Sequence, residues 1–500
     1  MNSSISVLAC DVGGGSGRVL QVQFDGSRLE LNQISRFPNE SIKVGGSLYW
    51  DILSIFKDIK NGLVKASNLG IRAVSIGIDT WGNDFGFIDK KGFMIEGAHS
   101  YRDSRTEGMV RYVDSIIPNY ELYSRNGIQQ VRMNTMYQLV SLVKDRPYIF
   151  DAADRFLFVP DLLAYFLTGE IHSEYTLSTI SQLYHYGKGE WDYELMGLLG
   201  IPARLFPSII QPGTMCGWIL PSVCSDLGIG SLQMISVGAH DTASAVAAVP
   251  EPEEQTIYIS SGTWSIVGTE TDTPIINEAS FRYNFANEGG VNGKIRLLKN
   301  VMGLWILQEI KHRFDMEGRH YSFEELTAQA EKASAFGPVI NPDDACFYEP
   351  VDMVKAVRSY CSRTGQRMPQ TDGEIVRVVL ESLALKYRYV IEQLEQLIGH
   401  SLRSIHIIGG GSRNKLLCRM TAECCGRMTY AGPSEATAIG NGLTQLMALG
   451  ELANLKEARS LVQSCYKPEC FEPRNCGSWD EFYRSFLELT GLNQKEITQR

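Results

Sequence analysis

The 500-residue sequence has no hydrophobic run approaching the ~20 residues that span a membrane, and its start lacks the basic segment and cleavage site of a signal peptide. The sequence also has no basic cluster, and its 57 Asp and Glu outnumber 47 Lys and Arg, which gives a net charge of −10. These absences argue against a membrane or nucleic-acid partner. We therefore predict a cytoplasmic protein that holds any anionic ligand through local contacts, and the oligomeric state stays open.

The paired close spacings of cysteine that a zinc site needs are the next absence. The eleven cysteines are an odd number, scattered along the chain, and several lie in apolar periodic segments. This distribution is typical of reduced thiols rather than of a disulfide framework or a zinc site. Hydrophobic residues, by contrast, make up 44% of the chain, which is enough for about two to four domains with a substantial core.

The stretch from Ser236 to Gly268 holds the residues that most directly suggest chemistry. An apolar strand ends at Ala239-His240-Asp241-Thr242, and the small residues that follow predict a helix. Asp241 at this junction is either a helix cap or a reactive carboxylate, and the pattern alone leaves both explanations open. A second strand then enters Ser260-Ser261-Gly262-Thr263, a turn whose N–H groups and hydroxyls suit an anion.

A similar turn lies near the start of the chain. Strands over 6–10 and 19–24 flank the glycine-rich turn from Asp11 to Arg18, which predicts a hairpin. Neither a helix nor Gly-Lys-Ser/Thr follows the glycines, so the turn is neither a dinucleotide fingerprint nor a Walker loop. The hairpin matches the one over 257–269 in plan, half the chain away, and we interpret the pair as a duplicated domain with two phosphate-binding turns.

The residues from Asp79 to Gly86 follow another predicted strand, over 73–78. They contain Asp-Phe-Gly, but the protein-kinase interpretation fails because His312-Arg313 is followed by Phe314 rather than by aspartate. Polar and aromatic residues at the carboxyl end of a strand suit a ligand crevice in an open sheet. Trp81 and Gly82 are therefore candidates to face a small polar substrate, and a core aromatic is an equal explanation for Trp81.

The remaining pattern predicts further elements of an α/β protein. They are mainly helices over 131–167, a hairpin over 281–296 around Asn292-Gly293, a helix opening at Asn300, a long helix after the capping box of Thr371 and Glu374, and a strand, glycine turn and helix over 405–425. Taken alone, the glycine turn at 409–411 is a weak nucleotide signal, since such turns are more often tight connections.

A series of stretches in this order resembles the FGGY carbohydrate kinases of the actin, sugar-kinase and Hsp70-like superfamily. They are DVGGGSGR, GIDTWGNDF, YRDSRT, NTMYQL, AHDTASAVAAVP, YISSGTWSIVG, NEGGVNG, RLLKNVMGLWILQE and IIGGGSRN. The resemblance covers nearly the whole chain. It implies an α/β fold of two duplicated ribonuclease H-like domains with a central cleft, over 1–248 and 249–465, and an extension over 466–500 packed on the second domain.

The resemblance also implies roles for individual residues. Asp241 would be the catalytic base, and Asp11 and Asp241 would position Mg²⁺. The expected ATP site consists of Gly14, Gly15, Ser16, Gly17, Arg18, Thr263, Gln308, Gly409, Gly410 and Gly411. The expected sugar site consists of Gly82, His240, Asp241, Thr242 and Asn300.

Within the family, the stretches resemble most the kinases that convert L-rhamnulose and ATP to L-rhamnulose 1-phosphate and ADP in L-rhamnose catabolism. L-fuculose kinases, which share His-Asp-Thr and Ser-Ser-Gly-Thr-Trp, are the alternative within the class. A non-catalytic ATPase of the actin or Hsp70 type is the alternative from a different class. Gly14-Gly15 stands where kinases of L-rhamnulose more usually carry Ala-Ser, which removes a hydroxyl but keeps the backbone donors.

Overall fold

The structure, a computed structural model, describes residues 4–250, 255–348, 350–474 and 476–493. The described residues form two compact units. The first contains residues 4–250, 270–296 and 436–465, and the second contains the described residues of 255–269, 297–435 and 466–493. After first leaving the first unit, the chain therefore returns to it twice.

The secondary structure alternates between strands and helices throughout the described chain. The strands are β1 (Ile5–Val12), β2 (Ser16–Phe24), β3 (Leu29–Pro38), β4 (Ser41–Val44), β5 (Ser47–Trp50), β6 (Ala73–Thr80), β7 (Phe85–Ile88), β8 (Arg155–Phe158), β9 (Ser173–Glu174), β10 (Tyr184–His185), β11 (Glu190–Trp191), β12 (Ile209–Ile210), β13 (Met215–Trp218), β14 (Gln233–Ile235), β15 (Thr256–Ser261), β16 (Trp264–Thr271), β17 (Ala286–Gly289), β18 (Ile295–Met302), β19 (Ser404–Ile408), β20 (Met428–Ala431) and β21 (Glu469–Phe471). The α-helices are α1 (Ile52–Asn68), α2 (Met109–Asp114), α3 (Asn119–Asn126), α4 (Thr135–Asp145), α5 (Tyr148–Ala152), α6 (Val159–Thr168), α7 (Tyr175–Ile180), α8 (Tyr193–Leu199), α9 (Pro221–Leu227), α10 (Asp241–Ala247), α11 (Glu278–Arg282), α12 (Trp305–Met316), α13 (Phe323–Lys332), α14 (Met353–Arg363), α15 (Asp372–Ile398), α16 (Lys415–Cys425), α17 (Ala436–Ala448), α18 (Leu455–Cys465) and α19 (Cys476–Leu489). No helix among these is long and apolar enough to cross a membrane.

The first unit is built around a six-stranded sheet in the order β13-β14-β6-β1-β2-β3. Strands β1, β6 and β14 are parallel, whereas β2, β3 and β13 pair antiparallel with their neighbours. Leu8 and Cys10 of β1 pack in one core cluster with Ile59 of α1 and Leu162 of α6. Burial on both faces explains why β1 is almost wholly apolar instead of alternating.

The second unit repeats this plan. Six of the seven strands in its sheet follow the order β18-β16-β15-β19-β20-β21. Strands β15, β19 and β20 are parallel, and β16 and β21 pair antiparallel with β15 and β20. In both sheets, three parallel strands lie between an antiparallel edge strand, β13 or β21, and the second strand of a hairpin, β2 or β16. This shared order confirms the duplication predicted from the two hairpins.

Several predicted elements are confirmed and others need correction. The Thr371–Glu374 capping box is formed, and α15 ends at Gly399 in the left-handed conformation. The range 131–167 is interrupted by β8, and the first residues of the predicted hairpin over 281–296 belong to α11. Asn300 lies in β18, and the helix begins only at Trp305. Gly303 follows the strand, and a Cβ there would lie 2.6 Å from the Ser265 nitrogen, so no larger residue fits at this position.

The compact units differ from the predicted boundaries at 248 and 465, because 270–296 and 436–465 join the first unit. Helix α17 approaches α10 so closely that a Cβ on Gly440 would lie 1.7 Å from the Ser244 carbonyl oxygen. Asn441 and Gln445 of α17 donate to the Asp79 carboxylate and to the Leu8 carbonyl oxygen, at 2.6 and 2.9 Å. Packing between residues so far apart in the sequence cannot be predicted from local sequence patterns. Residues 251–254, at the start of the predicted second domain, and 494–500, in the predicted extension, lie outside the described residues.

Candidate active site

Three carboxylates follow three neighbouring parallel strands of the first unit. Asp11 and Asp79 are register partners at the ends of β1 and β6. A parallel bridge between Thr80 and His240 places Asp241 at the corresponding end of β14. Because the carboxyl ends of parallel strands open on one edge of a sheet, these side chains form a cluster where ligands bind in open α/β sheets.

The surroundings of Asp241 exclude the helix cap, which is one of the two explanations that the sequence left open. The helix cap is His240, not Asp241. Asp241 Oδ1 instead accepts hydrogen bonds from the backbone N and the hydroxyl of Thr242, at 2.6 and 3.1 Å. Its Oδ2 has no hydrogen-bond partner among the described residues, and 31% of the side chain is exposed. The carboxylate therefore has a free oxygen with which to accept a proton.

The glycine-rich turn between β1 and β2 carries an ion pair. Arg18 Nη2 lies 2.6 Å from Asp11 Oδ2, and the carboxylate is nearly buried. The backbone N of Gly13 donates to the Ser16 carbonyl oxygen and closes the turn. Gly17 is sterically required, since a Cβ there would lie 2.2 Å from the Phe37 ring.

Space at Gly14 and Gly15 is less restricted. A Cβ on Gly15 would meet no atom within 4 Å, and one on Gly14 would approach only Tyr101 and Trp50, at 3.8 and 4.0 Å. The two glycines are therefore not required by packing. They leave the backbone of the turn uncovered, which is the property that an anion site needs.

Asp79 is the third carboxylate of the cluster and was not predicted to take part. Burial, together with the Asp11 and Asp241 carboxylates, raises the pKa of Asp79 well above its ordinary value. Its Oδ2 accepts a hydrogen bond from Asn441, and its buried Oδ1 has no hydrogen-bond partner in the described part of the chain. No group of three or more His, Cys, Asp or Glu in the described chain is arranged to hold a metal by itself. Mg²⁺ commonly uses one or two carboxylates plus substrate phosphates and waters, and Asp11 and Asp241 fit that incomplete set.

Asp84 organises the wall next to this cluster. Its Oδ2 accepts hydrogen bonds from the indoles of Trp50 and Trp81 and from the backbone N of Tyr101, at 2.6, 2.8 and 3.0 Å. Burial raises the pKa of Asp84 to about 6. Trp81 is buried against Trp50, with ring centroids 4.2 Å apart. The core explanation is thus the better one for Trp81.

Gly82 lies directly against His240. A Cβ on Gly82 would come within 3.4 Å of His240 Nε2 and within 2.6 Å of Ile180 Cδ1. His240 Nε2 in turn lies 3.5 Å from Asp241 Oδ1. Four of the predicted sugar-site residues, Gly82, His240, Asp241 and Thr242, are therefore neighbours in the first unit.

Two residues beside His240 were missed as functional candidates, although they lie in the matched stretches NEGGVNG and RLLKNVMGLWILQE. Arg296 is fully buried, and its Nη2 lies 3.0 Å from Glu288 Oε2 and 3.3 Å from His240 Nδ1. Burial alone would raise the pKa of the Glu288 carboxyl, but Arg296 and His240 outweigh it and hold that pKa below its ordinary value. The contact of Arg296 and Glu288 with the side chain of His240 cannot be predicted from local periodicity, because the residues lie far apart in the sequence.

The second unit gathers the predicted nucleotide residues around the turn between β15 and β16. The Thr263 hydroxyl donates to Gln308 Oε1 at 3.4 Å, and the backbone N of Leu304 donates to the Gly262 carbonyl oxygen at 2.9 Å. Gly409, Gly410 and Gly411 follow β19, the parallel neighbour of β15. At Gly411 a Cβ would lie 2.1 Å from Ser261 Oγ, so the two turns are in direct contact.

Asn300 lies in β18 of the second unit, whereas the other predicted sugar-site residues belong to the first. The preceding residue, Lys299, is buried, and burial together with the charge of Lys386 lowers the pKa of Lys299 to about 7. Lys386 itself lies 2.9 Å from Asp343 Oδ2. Asn300 thus follows a lysine that loses its proton near neutral pH.

Two family models match the chain. The N-terminal domain of the FGGY family of carbohydrate kinases matches residues 6–248, and the C-terminal domain matches residues 257–449. This chain belongs to the FGGY carbohydrate kinases. It is therefore a phosphotransferase, and the predicted family is confirmed. All eleven cysteines of this FGGY kinase are free thiols in the structure.

Relatives and solved structures cover nearly the whole FGGY kinase. It is 41% identical to a rhamnulokinase of Bacteroides thetaiotaomicron, over 96% of this chain and 98% of the relative. A rhamnulokinase of Bacillus subtilis is 37% identical over 93% of this chain and 95% of the relative. The structure is similar to a gluconate kinase from Lactobacillus acidophilus, with a TM-score of 0.81, 14% identity and 99% coverage of both chains. It is also similar to a glycerol kinase from Plasmodium falciparum with ADP, with a TM-score of 0.75, 15% identity and 100% coverage of both chains. The predicted two-domain sugar-kinase fold is confirmed.

Proposed function

We propose that this FGGY kinase transfers the γ-phosphoryl group of ATP to L-rhamnulose and forms L-rhamnulose 1-phosphate and ADP in L-rhamnose catabolism. The similarity to bacterial rhamnulokinases carries the proposal, at 36–41% identity over 92% or more of this chain. Identity to the gluconate and glycerol kinases is only 14% and 15%, so their substrates are not transferred to this chain.

Asp241 is the proposed general base. A sugar hydroxyl has a high pKa, so its attack on phosphorus is assisted by a carboxylate that accepts the proton as the new O–P bond forms. Asp241 has Oδ2 available for that proton, while Oδ1 is held by Thr242. The bond from the γ-phosphorus to the bridging oxygen of ADP breaks in the same displacement. Gly82, His240, Thr242 and Asn300 are the proposed sugar contacts.

The ATP contacts are proposed for both units. The turn of Gly14, Gly15, Ser16, Gly17 and Arg18 offers backbone N–H groups and a guanidinium to phosphate oxygens. Thr263, Gln308, Gly409, Gly410 and Gly411 are the proposed contacts to the rest of the nucleotide. Mg²⁺ would be held by Asp11 and Asp241, and when bound it offsets charge on the transferred phosphoryl group. The cytoplasmic location stays a prediction.

Two alternatives define the experiment. An L-fuculose kinase would carry a similar His-Asp-Thr, and only the sugar preference separates it from the proposed enzyme. A non-catalytic ATPase of the actin or Hsp70 type is disfavoured because the family is one of carbohydrate kinases and because Asp241 has a free oxygen beside His240. Such a protein would release ADP at a rate independent of any sugar.

The test is ADP release by the full chain with Mg²⁺ and ATP across L-rhamnulose, L-fuculose, L-xylulose, D-xylulose and glycerol. We expect the highest kcat/KM with L-rhamnulose and a product phosphorylated at O1, identified by phosphorus NMR. A preference for glycerol or D-xylulose would contradict the proposal, and a preference for L-fuculose would favour the alternative enzyme. Sugar-independent ADP release would favour the non-catalytic ATPase.

A further inference from the structure

We propose that Arg296 and Glu288 are positioning residues that fix the imidazole of His240, with Nδ1 toward Arg296 and Nε2 toward Asp241. The inference deepens the proposed function and rests on it, because it concerns the sugar contact next to the proposed base. All four residues belong to the first unit.

A short hairpin brings the charged pair together. The backbone N of Gly290 donates to the Lys294 carbonyl oxygen at 2.7 Å, and Asn292 and Gly293 between them have the positive φ of a tight turn. Counting two residues outward along each strand places Glu288 of β17 opposite Arg296 of β18. The two side chains are 7% and 0% exposed, so water does not screen their contact with His240.

The charged pair meets one nitrogen of the His240 ring. Arg296 Nη2 lies 3.3 Å from His240 Nδ1, and the guanidinium has only donors. Glu288 Oε2 lies 3.5 Å from the same nitrogen and 3.0 Å from Arg296 Nη2, so the pair offers Nδ1 both a donor and an acceptor. With Nδ1 facing the pair, Nε2 points toward Asp241 Oδ1 and Gly82.

The backbone around the ring is already fixed by α7. The Thr176 hydroxyl accepts a hydrogen bond from the backbone N of His240 at 3.1 Å, and the Thr179 hydroxyl accepts one from the backbone N of Gly289 at 2.8 Å. The main freedom left to His240 is rotation of its imidazole. Arg296 makes the contact that selects one orientation.

Stability alone does not explain the buried pair. Arg296 Nη1 is buried and has no hydrogen-bond partner among the described residues, which is unfavourable. Buried ion pairs are often no more stabilising than apolar side chains of similar size. The orientation of His240 explains the buried pair of Arg296 and Glu288, whereas a contribution to stability does not.

The test uses charge-neutral pairs of substitutions, because removing one partner alone would leave a buried charge. The variant Glu288→Gln with Arg296→Gln keeps two amides of similar size and removes the guanidinium contact to His240. The matched control is Glu270→Gln with Arg459→Gln. Arg459 is equally buried, pairs with Glu270 at 2.5 Å and donates to the Val246 carbonyl oxygen of α10, but does not touch His240.

Both pairs are introduced into wild type and into a His240→Ala background, which gives a double-mutant cycle. Transfer of radiolabelled phosphate at subsaturating sugar measures kcat/KM over several orders of magnitude. We expect the Glu288 and Arg296 pair to lower kcat/KM for the sugar by about tenfold or more in wild type, and by less than about twofold in the His240→Ala background. The Glu288 and Arg296 pair should change the KM for ATP by less than about twofold, and the control pair should change kcat/KM for the sugar by less than about twofold.

Equal losses in both backgrounds, or an equal loss with the control pair, would overturn the inference and leave the hairpin a structural element. If the double variant does not fold, Glu288→Gln alone is measured in the same cycle. It should give a smaller loss that also disappears in the His240→Ala background, and a loss that persists there would overturn the inference. The sugar is whichever one wild type uses best, so failure of the L-rhamnulose proposal is detected separately.

Discussion

The two units share one strand order but differ in what stands at the ends of the parallel strands. In the first unit, Asp11, Asp79 and Asp241 follow β1, β6 and β14. In the second unit, the corresponding strands β15 and β19 end in turns of serine, glycine and threonine, at 261–263 and 409–412, which contain no ionisable side chain.

The difference shows how one strand order supports two kinds of candidate site. In the first unit, carboxylates and an arginine cluster at the strand ends, so we expect function there to depend on charge and proton binding. In the second unit, glycines let two turns approach within van der Waals distance, so we expect function there to depend on space. Substitutions that change charge should therefore act mainly through the first unit, and those that only add volume through the second.

The largest expected effect is that of Asp241→Asn. The substitution keeps the shape and the Thr242 contact but removes the proton acceptor, so turnover should fall on the order of 10²- to 10⁴-fold, about 3 to 5 kcal/mol of barrier. Turnover at saturating sugar and Mg·ATP is measured beside the melting temperature. The control is Asp51→Asn at a true helix cap, where the side chain accepts from the Ser54 backbone N. Turnover of Asp241→Asn within about threefold of wild type would refute the base assignment.

A second charge effect is expected at Asp84, whose pKa is raised from 3.8 to about 6. The folded state binds this proton more tightly than the unfolded chain, so the contribution to stability is complete below pH 3.8 and is lost as pH rises through 6. A shift of this size corresponds to roughly 2 to 3 kcal/mol. Urea unfolding of wild type and of Asp84→Asn should therefore show a smaller cost of the substitution at pH 7 than at pH 4. A difference that does not change with pH would contradict the burial argument.

How much of this was available from the sequence depends on how local each feature is. The hairpins, the capping box of α15 and the glycine turn after β19 are determined by neighbouring residues and were predicted. The membership of α17 in the first unit was not predicted, because it depends on the approach of Gly440 to Ser244, which lies far earlier in the chain.

The candidate site follows the same rule. Family resemblance named Asp241, but only the contact to Thr242 and the His240 cap excluded a capping role. Asp79 was placed after a strand but not in the site, because its proximity to Asp11 follows from strand register rather than from spacing. Arg296 lies far along the chain from His240, and no periodicity joins them.

A volume effect is expected in the second unit at Gly411. A Cβ there would lie 2.1 Å from Ser261 Oγ and 2.5 Å from Ser261 Cβ, so Gly411→Ala should destabilise the protein by about 1 to 3 kcal/mol and raise the KM for ATP. At Gly410 a Cβ meets nothing within 4 Å. Melting temperatures of the two variants are compared, and Gly410→Ala should melt like wild type. Equal melting of both would contradict the close contact of the two turns.

The smallest effect is expected for added volume in the first unit, at Gly82. The new methyl would displace the end of the Ile180 side chain, which can rotate, and would press on His240. We expect Gly82→Ala to raise the sugar KM by roughly fivefold, about 1 kcal/mol, with the KM for ATP unchanged. The control is Gly197→Ala in α8, where a Cβ meets nothing within 4 Å. A larger effect than that of Gly411→Ala would contradict the contrast between the two units.

The late position of α17 in the chain has a consequence for biosynthesis. Asn441 and Gln445 provide partners for Asp79 and for the Leu8 carbonyl oxygen, yet they leave the ribosome only after most of the second unit has been translated. Until then the nascent first unit lacks a helix that covers one face of β1 and β6, and that apolar surface is open to aggregation. The first unit therefore begins to emerge first but completes its packing only after most of the second has been made.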